Sequence, residues 1–294
     1  MVRIFCSLVF NEIFKMLKYF FTSQRLCFFS QHKGRKMRKF GFKFFSTNFQ
    51  TAPETITECA EFALSKEDVF MEFTAVTVTT DEEFKKIKAA IGNIEVRIHA
   101  SYNGFDASNS ELFQQNNKIL ASAQKAADIF DAKTIVVHAG YGHGKKHLEE
   151  AGRQFKLFND ERIVVENLPY YDNNGDEMLG NMADEIAYIR NESKCGFCFD
   201  FSHAICSAAA QKLDVDKYLQ SLFLLKPTVY HMCDGNIPEM KDLHLHFGEG
   251  NYPLKHYLND YTDENAYITM ETGNGFEQSN DLRIKDYNYL KAIL

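Results

Sequence analysis

The sequence predicts an α/β protein, a single (β/α)8 barrel, on three observations. Eight short apolar runs rich in Val, Ile, Phe and Tyr alternate with amphipathic stretches from Met37 to Leu294. The runs are continuously apolar rather than alternating, the pattern of strands buried on both faces of a parallel sheet. No linker rich in Pro, Gly or Ser divides this span, and its length suits eight βα units. An open doubly wound sheet is the runner-up. Its usual G-x-G-x-x-G loop is absent after the first run, and the stretch from Tyr141 to Gly144 is too short to replace it.

Taken in order, the strand candidates are Phe40–Phe45, Val69–Thr74, Ile94–His99, Thr134–His138, Arg162–Glu166, Gly196–Asp200, Thr228–Met232 and Ala266–Glu271. A helix is expected after each. Pro53 marks a first helical turn after Thr51. Ser110–Phe130 carries Phe113, Leu120, Ala123, Ala127 and Phe130 at helical spacing. Asp81–Ala90 and Ala183–Arg190 repeat the pattern, and Asp281–Leu294 closes the chain.

Composition narrows the class. Apolar residues make up 45%, charged residues 25%, with 16 Gly and 5 Pro, which excludes collagen-like and disordered chains. No apolar run reaches the roughly 18 to 20 residues of a membrane span. The net charge of −7 is unevenly spread. Residues 1–36 hold seven Lys or Arg against Glu12 alone, so the remainder carries 26 bases against 39 acids. A body this acidic is an awkward partner for a polyanion. The basic, Phe-rich segment 1–36 reads as a transit peptide, a membrane-surface helix or an upstream extension with Met37 the true start. The last is favoured, and the segment is set apart from the catalytic domain, residues 37–294. The domain is expected in the cytoplasm as a monomer, or in an organelle if the segment is a transit peptide. Seven cysteines without regular spacing suggest a reducing compartment. Cys195 and Cys198 form a C-x-x-C pair, but i and i+3 on a strand face opposite sides, so they read as buried small residues.

In such a barrel the active site lies at the C-terminal ends of the strands. Six consecutive strands end in His, Asp or Glu: His99, His138, Glu166, Asp200 with His203, His231 and Glu271. The loop after the seventh strand, KDLHLHFGEGN, adds Asp242 and His244. A single polar residue at a strand end is ordinarily a hydrogen-bonded group at a loop entry. Six in register on one rim are better explained as ligands, because converging carboxylates repel unless cations sit among them. These donors suit zinc, manganese or iron. Nine groups exceed one coordination sphere, so two or three ions are expected, with Glu166 as the bridge.

These residues resemble the endonuclease IV family, zinc-dependent apurinic/apyrimidinic endonucleases (AP endonuclease family 2) among the xylose-isomerase-like TIM barrels. The segments that carry the resemblance are HASY at His99, the His138 strand end, VENL at Glu166, DFSHA at Asp200 and His203, HMCD at His231, DLHLHFGEGN at Asp242 and His244, and MET at Glu271. The resemblance implies three zinc ions. His99, His138 and Glu166 would hold one. Glu166, Asp200, His231 and Glu271 would hold a second, and His203, Asp242 and His244 a third. It implies base excision repair of DNA, with a metal-bound hydroxide attacking phosphorus at an abasic site. Tyr102 falls where the family places a tyrosine that wedges DNA open.

The chain departs from that pattern in its loops. TAVTVTTDEEF after the second strand has no Arg and three acids, Asp81, Glu82 and Glu83. MCDGNIPEMK has two acids and one Lys, and NLPYYDNNGDEM after Glu166 is longer than the family's Gly-rich turn. These changes favour a small sugar or phosphate substrate over a duplex. The competing reading is a metal-dependent sugar isomerase or epimerase using Glu166, Asp200, His231 and Glu271 around one ion. A non-catalytic binding protein is the third. Asn167 is expected to orient Glu166 and to border the substrate. His143 and His147 read as loop groups beside His138, and His246 as a partner of a ligand or phosphate. Tyr170 and Tyr171 read either as platforms for a base or sugar or as exposed loop aromatics.

Overall fold

Eight parallel strands pair in chain order, and the last closes on the first. The computed structural model describes residues 37–275 and 279–294, so the expectations for residues 1–36 lie outside the described residues. The strands are β1 (Lys39–Phe45), β2 (Val69–Ala75), β3 (Val96–Ala100), β4 (Ile135–His138), β5 (Ile163–Glu166), β6 (Gly196–Asp200), β7 (Val229–Met232) and β8 (Tyr267–Met270). Closure rules out the open doubly wound sheet. The eight apolar runs are these strands, with ends displaced by one or two residues. β3 starts at Val96 rather than Ile94, and β8 stops at Met270, leaving Glu271 as the first residue beyond it.

The helices are α1 (Asn48–Thr51), α2 (Pro53–Leu64), α3 (Asp81–Ile91), α4 (Phe113–Phe130), α5 (Lys145–Phe158), α6 (Ala183–Ser193), α7 (Phe201–Gln211), α8 (Val215–Phe223), α9 (Leu254–Tyr261) and α10 (Asn280–Ile293). The expected single helix at Ser110–Phe130 opens instead with a 3-10 turn, Ser110–Leu112. Two helices, α7 and α8, follow β6 where one was expected. Pro53 occupies the first turn of α2. Thr80 and Glu83 form a reciprocal cap on α3: Thr80 accepts from the Glu83 N–H at 3.3 Å, and Glu83 accepts from the Thr80 N–H at 2.7 Å. Asp81, Glu82 and Glu83 are therefore the first turn of a helix, where acids complement the dipole. Among the described residues, no helix is long and apolar enough to cross a membrane.

Strand register sorts side chains between two environments. Phe40, Phe42 and Phe44 belong to the large core between barrel and helices. The barrel lumen holds a small separate apolar plug, Val136, Val164, Cys198 and Val229. Residues of the same parity rise from this plug toward the mouth: His138 pairs with Glu166, Glu166 with Cys198, and Asp200 with His231. The period of two in a strand thus carries these donors into the lumen. Cys195 and Cys198 are both buried free thiols, as are Cys59, Cys206 and Cys233. Cys195 precedes β6 rather than lying within it.

At the other end of the lumen, Arg97 stacks over Tyr267 at 3.8 Å and over Phe70 at 5.6 Å. Gly41 faces Phe70 so closely that a Cβ would lie 2.4 Å from its ring. Gly41→Ala is expected to destabilise the barrel by about 1–3 kcal/mol through overpacking. An unchanged denaturant midpoint would contradict this packing.

Candidate metal centre

Glu166, at the tip of β5, is fully buried and forms the hub of the mouth. His99 Nε2 and His138 Nε2 each lie 3.1 Å from its Oε2. His231 Nδ1 lies 2.8 Å from its Oε1 and 2.6 Å from Glu271 Oε1. Each imidazole is aimed by a bond on its far side. His99 Nδ1 donates to the Ala100 carbonyl at 2.7 Å, and His231 Nε2 donates to Glu72 at 3.2 Å. A His whose other nitrogen is so held presents the remaining one as a fixed ligand.

Asp242 is the second hub. His203 Nε2 lies 3.3 Å and His244 Nε2 2.9 Å from its Oδ2. The opposite nitrogens are again tied to carbonyls: His203 Nδ1 to Asn167 at 3.0 Å and His244 Nδ1 to Glu271 at 2.7 Å. The loop carrying Asp242 and His244 wraps around Asp234. That carboxylate accepts from the N–H groups of Gly235, Gly248, Gly250 and Tyr252 at 2.8 to 3.3 Å. Gly250 is required because a Cβ there would meet the Gly235 carbonyl at 2.2 Å. The GEGN string is thus a wrapping device. His246 Nδ1 donates to Asp286 at 2.7 Å, which ties the same loop to α10.

Three groups of donors come within bonding reach of a common point: His99 with Glu166, His231 and Glu271; Glu166 with Asp200 and His203; and Asp242 with His244 and Cys233. All nine sequence-assigned donors surround the mouth. Asp200 lies with Glu166 and His203 in one of these groups. Its Oδ1 caps α7, accepting from the His203 N–H at 2.7 Å. Asn167 does not orient the Glu166 carboxylate. Both ends of its amide bind the Asp200 backbone, at 2.8 and 2.9 Å, and it is fully buried, so it positions β6 and His203 instead of bordering a substrate.

Two groups were missed by sequence reasoning, Lys43 and Glu72. Glu72 is fully buried and accepts from Thr269 Oγ1 at 2.7 Å as well as from His231. Lys43 Nζ donates to Glu271 and lies 3.3 Å from Glu72 Oε1. The available signal was a charge within each of two apolar runs, Lys43 in FGFKFF and Glu72 in VFMEFTA.

Electrostatics report a cluster short of positive charge. Burial would raise Glu166, but His231, His138 and His99 hold it well below the usual carboxylate range. Burial and the neighbouring Glu271, Glu166 and Asp242 push Asp200 up to about 6, against the pull of His203. Burial pushes His138 down to about 4. His203 and His244 resist burial and rise to about 10 and about 9, because acids face them. Oδ2 of Asp200 is buried without a hydrogen-bond partner. Oxygen and nitrogen donors around orphaned carboxylate oxygens fit divalent cations.

The mouth opens on a cavity of about 660 Å³. Tyr102 lines it, 40% exposed and stacked on His138 at 5.4 Å. Tyr171 lines it too and packs edge-on against Tyr170. His143 lies 3.2 Å from Glu177, and His147 contacts Ser108 at 3.4 Å, so both belong to the surrounding loops.

A family model described as a xylose isomerase-like TIM barrel matches residues 35–292, and the chain belongs to that family. It is 26% identical over 208 residues to an Endonuclease 4 of Thermus thermophilus, covering 67% of this chain and 76% of that protein. The solved endonuclease IV of Thermus thermophilus superposes with a TM-score of 0.61 at 20% identity, over 87% of this chain and 98% of that one. A xylose isomerase domain protein of Planctomyces limnophilus gives 0.61 at 12% identity, over 89% and 98%. At these identities the solved structures bear on the fold.

Two outcomes are expected. Any divalent ion taken up here would displace the protons of His203 and His244, whose pKa values the facing acids raise to about 10 and about 9. Metal binding at pH 7 should therefore release protons and tighten as pH rises toward 9. Calorimetry in two buffers of different ionisation enthalpy measures this, and proton-neutral binding would contradict it. Glu72→Gln should weaken metal affinity by about 10- to 100-fold while the far-ultraviolet circular dichroism stays unchanged.

Proposed function

We propose that this member of the xylose isomerase-like TIM barrel family is a zinc-dependent phosphodiester hydrolase that cleaves DNA at abasic sites. The observation that carries the reading is the presence of two separate carboxylate hubs, Glu166 and Asp242, each ringed by aimed imidazoles. An isomerase built on one ion has no use for the second hub. The likeness to Endonuclease 4 supports the same class.

His99, His138 and Glu166 would hold one ion, Glu166, Asp200, His231 and Glu271 a second, and His203, Asp242 and His244 a third. Zinc is the first choice for these donors, and manganese or iron also suits them. Such ions supply Lewis acidity toward a phosphoryl oxygen and acidify a water molecule. The protein's part is to hold the site rigid and shape access to it. Glu166 would belong to both of the first two positions, and its burial with three converging imidazoles holds it in place. Lys43 and Glu72 lock Glu271 and His231, removing rotamer freedom from the reacting geometry. Tyr102, stacked on His138, offers its exposed face to the substrate. The cavity has the volume of a small-ligand site, so the reacting unit enters as one extruded sugar-phosphate.

A second reading, a sugar or sugar-phosphate isomerase, is favoured by one observation. Among the described residues, Lys43 is the only Lys or Arg lining the cavity, and Asp172 lies on its rim. An abasic-site duplex assay with zinc-reconstituted protein separates the two. The duplex is expected to be cut, with Glu166→Gln slower by more than about 100-fold, since changes one shell farther out already cost 10- to 100-fold. A fully metallated protein that leaves the duplex intact and converts a ketose would establish the isomerase instead.

A further inference from the structure

Cys233 follows β7 and is 1% exposed, with its sulfur turned toward the second hub. Its Sγ lies 3.5 Å from Asp242 Oδ1 and within reach of a point shared with His244. A zinc–sulfur bond is about 2.3 Å and a zinc–oxygen bond about 2.0–2.2 Å. Two donors on one tetrahedral ion then lie about 3.5 Å apart, the separation found here. A second observation points the same way. Asp242 Oδ2, in a side chain 9% exposed, is buried without a satisfactory hydrogen bond although two imidazoles flank it. The oxygen thus faces two imidazoles without a well-directed hydrogen bond from either, an arrangement that an ion shared with them would satisfy.

We infer that Cys233 is a thiolate ligand of the ion held by Asp242 and His244, which makes this a mixed sulfur, nitrogen and oxygen site selective for zinc or cobalt over magnesium or manganese. The inference rests on the reading that the mouth is a metal centre, and adds the sulfur donor to it. A thiolate is a soft ligand that magnesium and manganese, which prefer oxygen, bind poorly. In the metal-free chain the thiol donates its proton to Asp242. When the ion binds, the S–H bond breaks, the sulfur–metal bond forms with the sulfur's electron pair, and the proton passes to solvent. No change of oxidation state is involved. The neighbouring Cys206 and Cys198 belong to none of the three donor groups.

Cobalt(II) alone, titrated into the metal-free full chain carrying Cys6→Ser and Cys27→Ser, tests the assignment. The expected spectrum has ligand-field bands in the visible and a thiolate-to-cobalt charge-transfer band in the near ultraviolet. Adding Cys233→Ser should abolish the near-ultraviolet band and leave visible bands from the remaining donors. Visible bands in the Cys233-containing protein without the charge-transfer band would overturn the thiolate ligand while leaving the metal centre standing. A charge-transfer band that survives Cys233→Ser would overturn it equally. Absence of both bands would remove the metal centre itself, and this inference with it.

Discussion

The structure turns on the burial of one carboxylate. Glu166 sits fully inside the barrel mouth, with His99, His138 and His231 converging on its two oxygens. An isolated carboxylate there would carry a desolvation cost of several kcal/mol, so opposite charge must be built around it. A parallel barrel does this economically. Every strand places alternate residues in the lumen, so one polar residue at each strand tip brings several donors to a common centre. The lumen below needs only a thin plug, Val136, Val164, Cys198 and Val229, because most apolar burial lies outside, between strands and helices.

Around the donors stands an outer layer that fixes their orientation. Glu72 restrains His231, and backbone carbonyls restrain His99, His203 and His244. Asn167 joins the tips of β5 and β6 through the Asp200 backbone and offers its own carbonyl to His203. Asp234 and Asp286 anchor the loop that bears Asp242 and His244 from two sides. Each of these contacts removes a rotamer or a tautomer that would otherwise have to be frozen on binding, which is the physical content of preorganisation.

This division explains what the sequence disclosed. Strand tips were legible because a polar residue ending an apolar run breaks a pattern. His138 and Glu166 stand out at the ends of IVVH and IVVE. The barrel was legible for the same reason, since eight such runs leave little else to build. Lys43 and Glu72 were not, because a single charge inside a run is indistinguishable from a solvent-facing residue until closure puts both in the lumen. The role of Asn167 was misplaced because adjacency in sequence suggested Glu166. On a strand the next residue faces away, and its amide reaches the neighbouring strand instead. The acids at Asp81, Glu82 and Glu83 looked like rim charge and are a helix start, a distinction that depends on where α3 begins.

The acidity of the chain acquires a location in this light. Among the described residues, five carboxylates crowd the mouth, Glu72, Glu166, Asp200, Asp242 and Glu271, and Lys43 is the lone Lys or Arg beside them. That leaves four negative charges unbalanced before any imidazole is protonated, a surplus that two divalent ions would cancel and three would reverse. With three ions in place the field would be positive at the centre, within a body that is acidic overall. Bound cations are the largest local charges in such a site, and fields decay within about 10 Å at moderate salt. A phosphate at the mouth would be held by the centre. A site of this kind gains affinity from one reacting unit and little from the length of the polymer that carries it.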